Sequence, residues 1–100
     1  MSLLKNIKIL DLTRFVAGPH CALVLSHLGA EIIKIEKPKK GDDLRIIGPK
    51  LSNISLWAAV LNRGKKSLSL DLKSEEGRKV FLKLVKGADV VLENFRPGIM

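Results

Sequence analysis

Gly29-Ala30-Glu31-Ile32-Ile33-Lys34-Ile35-Glu36-Lys37-Pro38 (residues 29–38) is the stretch that decides the fold. Three isoleucines within four positions favour a buried strand, and Pro38, which cannot donate to a sheet ladder, forbids its extension. Upstream, Gly29 suits the stop of a helix. That helix is expected to open at Gly18-Pro19, with proline at its first position, where a missing N–H is no loss. Cys21, Leu23, Val24, Leu25 and Leu28 make it apolar nearly all round, as for a helix buried on a sheet. Before it, Ile7 to Leu12 is a short β-branched run that ends in the polar group Asp11, Thr13 and Arg14, which makes it the first strand. A strand, a helix and a strand in this order predict two parallel strands joined by a right-handed crossover.

The pattern continues outward. Residues 37–53 are rich in Pro, Gly and charge and are expected to form a long irregular loop. Ile54 to Leu61, which holds the only tryptophan, fits helix or strand equally, with Trp57 in the core. Ser67 to Leu72 alternates as a strand with one wet face does. Ser74 is a helix N-cap, followed by Glu75 and Glu76 in the first turn and Lys83 and Lys86 in the last, all with the sign the helix dipole favours. Gly87 ends this helix, and Asp89 to Glu93 reads as a further buried strand. The fold class is therefore α/β, a Rossmann-like, mainly parallel sheet flanked by helices.

Composition narrows the function. The 100 residues are 46% hydrophobic and 28% charged, within the range of globular proteins, and fit one domain. The longest stretch without acidic or basic side chains, Phe15 to Ala30, is shorter than the roughly 18 residues a membrane span needs. Lys5, Lys8 and Asp11 interrupt the N-terminal apolar run, so it does not resemble a secretory signal, and the cytoplasm is the expected location with no membrane partner. A single cysteine, Cys21, excludes an internal disulfide framework and a cysteine-based zinc site; it reads as a small core residue, and no metal site is expected. Lysine and arginine outnumber acids 18 to 10, giving a net charge of +8, which favours an anionic partner. With 4% aromatics, no tyrosine and no recognition-helix signature, nucleic acid is not the expected one.

In parallel sheets ligands sit beyond the carboxyl ends of the strands. Three polar loops collect there, Thr13 to Gly18, Lys37 to Asp43 and Asn94 to Gly98, and the helix near Pro19 offers backbone N–H groups to a phosphate. Arg63, Lys65 and Lys66 form a second basic cluster that either draws phosphates in or is solvated surface. Glu36 stands where a dinucleotide-binding acid would, but the first turn holds one glycine where that motif wants three. His20, His27, Asp42 and Asp43 have no spacing that suggests catalysis.

Several strings together resemble one family: Gly18-Pro19-His20-Cys21-Ala22, residues 28–38, Gly41-Asp42-Asp43, residues 61–72 and Glu93-Asn94-Phe95-Arg96-Pro97-Gly98. In this order and spacing they are similar to the N-terminus of the class III coenzyme A transferases of the CaiB/BaiF type, which include the formyl-CoA and carnitine CoA transferases and the α-methylacyl-CoA racemases. The resemblance implies a fragment of a transferase that moves CoA between an acyl-CoA thioester and a carboxylic acid, with CoA as substrate and no covalently bound cofactor. It implies that residues 1–100 are the N-terminal part of a CoA-binding domain within a larger, interlocked homodimer. Phe15 and Val16 would lie against the nucleotide, Lys37 near the adenosine, Leu70 and Lys73 at the adenine and phosphates, and Asn94 and Phe95 along the pantetheine path, Asn94 offering its amide. The family's catalytic aspartate, which attacks the thioester to give a mixed anhydride, falls beyond Met100. No catalytic residue is thus expected within these 100 positions, which alone are not expected to turn over. A racemase-like member and a non-catalytic remnant or nucleotide-binding module stay open as alternatives.

Overall fold

The computed structural model describes residues 3–38, 45, 49–51 and 54–99. Gly41-Asp42-Asp43, most of the expected loop and the side chain of Trp57 lie outside the described residues. Four strands, β1 (Lys8–Asp11), β2 (Glu31–Glu36), β5 (Lys66–Ser69) and β6 (Val90–Leu92), form one sheet in the order β5-β2-β1-β6, with all pairings parallel. Within this sheet the order is third, second, first, fourth, the start of a doubly wound arrangement. A separate antiparallel pair, β3 (Lys50–Leu51) with β4 (Ile54–Ser55), leads into α2 (Leu56–Leu61). The run 54–61 thus resolves into both of its possibilities: Ser55, extended and side-chain bonded to Ala58 N–H, is the cap where strand becomes helix.

The period of two along β1 and β2 sorts the core into two layers. Ile9 and Ile32 face α1 (Ala17–His27) and pack with Ala22 and Ala30, while Leu10, Leu12 and Ile35 face α3 (Glu75–Lys86) and pack with Phe81, Leu84 and Val85. Ile9, Leu10 and Ile32 are at most 2% exposed, so each contributes about 1.5–3 kcal/mol of burial.

Four expectations are corrected. α1 begins at Ala17, which puts Pro19 third in the helix, a position whose N–H would also have had no intrahelical acceptor. It is not buried all round: Pro19, Ala22 and Leu23 are, whereas Val24 and the expected core residue Cys21 are exposed, because only one face meets the sheet. The third strand of the sheet is Lys66–Ser69 rather than residues 67–72, although Leu68, Leu70 and Leu72 all join the α3-side core. β6 is an edge strand and largely exposed, since it pairs with β1 alone.

α3 starts as its sequence predicts. Ser74 accepts from Gly77 N–H at 2.9 Å while its own hydroxyl donates to Asp71 O at 2.9 Å. This tight corner brings the Asp71 carbonyl to 1.8 Å from where a Cβ on Gly77 would stand. Gly77→Ala should therefore destabilise the chain by about 1–3 kcal/mol through overpacking against backbone, read as a lower urea midpoint with unchanged slope.

Candidate functional site

The site is built on one buried carboxylate at the tip of β1. Asp11 accepts from the backbone N–H of Thr13 at 2.9 Å and from the Thr13 hydroxyl, and its second oxygen lies 3.0 Å from Lys65 Nζ and 3.8 Å from Lys34 Nζ. All three charged side chains are at most 2% exposed. The two lysines also donate to backbone, Lys34 Nζ to Thr13 O at 2.5 Å and Lys65 Nζ to Pro19 O at 3.1 Å, and Lys65 Nζ donates to the Asn62 side chain, Oδ1, at 3.2 Å. The start of the loop between β1 and α1, through Thr13, and the first turn of α1 that follows it, through Pro19, are thereby tied to the same carboxylate. Gly18 closes the loop at short range, for a Cβ there would stand 2.3 Å from Thr13 Cβ.

Across from it, Asn94 follows β6. Its Oδ1 accepts from Arg14 N–H and its Nδ2 donates to Arg14 O, each at 3.0 Å. The Arg14 guanidinium lies over the Phe95 ring, 5.0 Å from its centroid, and Phe95 N–H donates to the Glu93 carboxylate at 2.9 Å. From β1 the strand order runs through β2 to β5 on one side and reverses to place β6 on the other, so the loops after β1 and β6 meet at the topological switch point, where such sheets hold ligands.

Two cavities open at this edge. One of about 290 Å³ is lined by Leu12, Thr13, Arg14, Ile35, Glu36, Lys37, Leu70, Asp71, Leu72, Lys73 and Phe95. The other, of about 760 Å³, is lined by Arg14, Phe15, Leu72, Lys73, Arg78, Phe81, Leu82, Asn94, Phe95, Arg96 and Ile99. They share Arg14, Leu72, Lys73 and Phe95, so the Arg14–Phe95 stack stands on their common wall. Of the residues singled out in the sequence, Lys37, Leu70, Lys73 and Phe95 line the smaller cavity, and Phe15, Lys73, Asn94 and Phe95 the larger. Val16 lines neither; it is the exposed N-cap of α1.

Charge divides the two ends of the sheet. At the amino end, Glu31 lies 2.5 Å from Lys66 and 3.7 Å from Lys8. The Lys66 hydrogen bond and charge, with a smaller contribution from Lys8, hold the Glu31 carboxyl below the usual carboxylate range. At the carboxyl end, Glu36 is clasped by Arg45 through two bonds of 2.6 Å, but Arg14, Lys73 and Arg96 have no carboxylate partner among the described residues. The Arg63, Lys65 and Lys66 cluster is corrected accordingly: Lys65 is buried on Asp11 and Lys66 pairs at the far end, so neither reaches the cavities. Asn94 lines the larger cavity while its Oδ1 and Nδ2 each hold one backbone group of Arg14. Sequence reasoning missed Arg14, Arg78 and the buried lysines; for Arg14 the signal was there, a cation directly after a strand tip. Among the described residues no group of His, Cys, Asp and Glu could hold a metal ion, and no helix is long and apolar enough to cross a membrane.

Comparison with known proteins adds a family. The model of CoA-transferase family III matches residues 4–100. Among curated proteins the chain is 49% identical over 92 residues to an acetyl-CoA:oxalate CoA-transferase of Acetobacter aceti, covering 92% of this chain and 24% of that one. It is 45% identical over 98 residues to a succinyl-CoA–D-citramalate CoA-transferase of Chloroflexus aurantiacus, covering 97% and 24%. Among solved structures it resembles a CaiB/BaiF family protein from Brucella suis with a TM-score of 0.88 and 40% identity, over 97% of this chain and 27% of that one. The chain spans about a quarter of the length of these relatives.

Two outcomes follow from this geometry. Asp11→Ala strips two buried ammonium groups of their shared carboxylate and should cost about 3–5 kcal/mol in chemical denaturation. Lys66→Ala should raise the titration midpoint of Glu31 toward its ordinary value, as followed by NMR. Because the folded value is depressed, the associated stability is present above the unfolded pKa and lost as pH falls through the folded one, and the variant should lose most of this dependence, Lys8 keeping the rest.

Proposed function

Because the chain belongs to CoA-transferase family III, we propose that its strand-end cavities bind the CoA portion of an acyl-CoA thioester, in a protein that transfers CoA to a carboxylic acid. The observation that carries this reading is the pairing of cations with no carboxylate partner among the described residues, Arg14, Lys73 and Arg96, with apolar and aromatic walls on two joined cavities. CoA demands that combination. Its diphosphate and 3′-phosphate need charge-assisted donors, and its pantetheine arm needs apolar, amide-lined surface. Lys37 and Lys73 on the smaller cavity suit the phosphorylated nucleoside, with Leu70 and Leu72 against the base. Phe15, Phe81 and Phe95 on the larger cavity suit the arm.

In this reading residues 1–100 are the N-terminal part of a Rossmann-like CoA-binding domain in a cytoplasmic homodimer. They bind and orient the thioester, and the nucleophile is supplied from elsewhere in the family's fold. The transferase branch is favoured over the racemase branch because relatives at 45–49% identity carry CoA-transferase names.

Isothermal titration of CoA into the chain tests the reading. Lys37→Ala and Lys73→Ala should each weaken binding by roughly three- to tenfold, the effect of one charge-assisted contact. Each should also flatten the dependence of affinity on salt. Unaltered affinity and salt dependence in the double variant would contradict the site.

A further inference from the structure

We infer that Asn94 is a positioning residue, which by hydrogen-bonding both sides of Arg14 locks Phe15 into a left-handed backbone conformation and thereby sets the aromatic wall of the larger cavity. Phe15 has φ of +65°, a region that bulky L side chains rarely adopt. Its side chain is about half-exposed, at 48%, so core burial does not drive it there. Strain of this kind persists where the surroundings over-determine it, and it concentrates at binding sites.

The bonds on the neighbouring residue supply that constraint. The Thr13–Arg14 peptide unit is held on both sides, its N–H by Asn94 Oδ1 at 3.0 Å and its C=O by Lys34 Nζ at 2.5 Å. The next unit carries Arg14 O and Phe15 N–H together. The 3.0 Å bond from Asn94 Nδ2 to Arg14 O therefore fixes the plane from which φ of Phe15 is measured. Beyond Phe15 the chain enters α1, where Val16 O accepts from His20 N–H at 2.8 Å. Between the held Arg14 carbonyl and this first helical bond, the chain turns through Phe15. Both ends of the Asn94 amide are committed to Arg14 backbone, so truncating it releases the loop conformation that it holds. Asn94 thus shapes affinity by way of the Phe15 ring, a claim whose affinity arm rests on the CoA reading and whose conformational arm does not.

The conformational arm uses NMR on the isotope-labelled chain, because positive φ brings an amide proton close to its own Hα and gives a strong intraresidue cross-peak. The cross-peak should be strong at Phe15 in the parent and weaken in Asn94→Ala. It should weaken also in Asn94→Asp, which keeps an acceptor for Arg14 N–H but sets a carboxylate against Arg14 O. A cross-peak undiminished in both variants overturns the inference.

The affinity arm is a double-mutant cycle with CoA. Asn94→Ala should weaken binding about tenfold in the parent and by less than about twofold in a Phe15→Gly background, where left-handed φ is free of penalty and the ring is gone. An equal loss in both backgrounds means that Asn94 touches the ligand directly, and overturns it. A chain with no affinity for CoA contradicts the binding reading, while the cross-peaks still decide the role of Asn94.

Discussion

The carboxylate of Asp11 holds this end of the molecule together. Fully buried at the tip of a central strand, it collects two backbone-anchored lysines and the following threonine. A buried ion is tolerated only where its partners are well placed and its lone pairs filled, and here the partners come from three separate segments. Lys34 comes from β2, Lys65 from the turn before β5, and Thr13 from the loop itself. One lysine then reaches the start of that loop and the other the first turn of the helix after it, so an electrostatic constraint in the core becomes a geometric constraint at the surface, where the loop presents Arg14 and Phe15 to the cavities.

The opposite ends of the sheet do different work. At the amino end, Glu31 is compensated by Lys8 and Lys66, and Asp89 pairs with Lys8 backbone N–H at 2.8 Å, so charge there serves to register strands. At the carboxyl end the cations outnumber the carboxylates that meet them. Among the described residues, Arg14, Lys73 and Arg96 meet no carboxylate and line the cavities at the edge where a doubly wound sheet receives ligands. Arg14 draws the two cavities together: its backbone is bonded to Asn94, and its guanidinium lies on Phe95, the ring that both cavities share.

Much of this was legible from residue order. The isoleucines of β2, the cap at Ser74 and the stop at Gly87 are local signals, and they set elements where the structure has them. Six of the seven residues singled out for binding line the cavities, because loops after parallel strands must converge on one edge. What was not legible depends on long-range partners. Lys34 sits in an apolar strand and Lys65 in a basic turn, and nothing local says that one is buried beside Asp11 and that the other leaves its cluster to join it. The exposure of Cys21 and Val24 depends on which face of an almost wholly apolar helix meets the sheet, and a pattern apolar all round does not mark that face. The engagement of Asn94 joins residues 80 positions apart, which no periodicity records.

The central claim is that core charge, loop conformation and cavity chemistry form one CoA-binding edge. Hydrogen–deuterium exchange of the chain with and without CoA tests it most directly. The account predicts slowed exchange confined to residues 12–16, 70–73 and 94–96, with β3, β4 and α2 unchanged. Protection centred on β3, β4 and α2, with the strand-end loops unaltered, would contradict it.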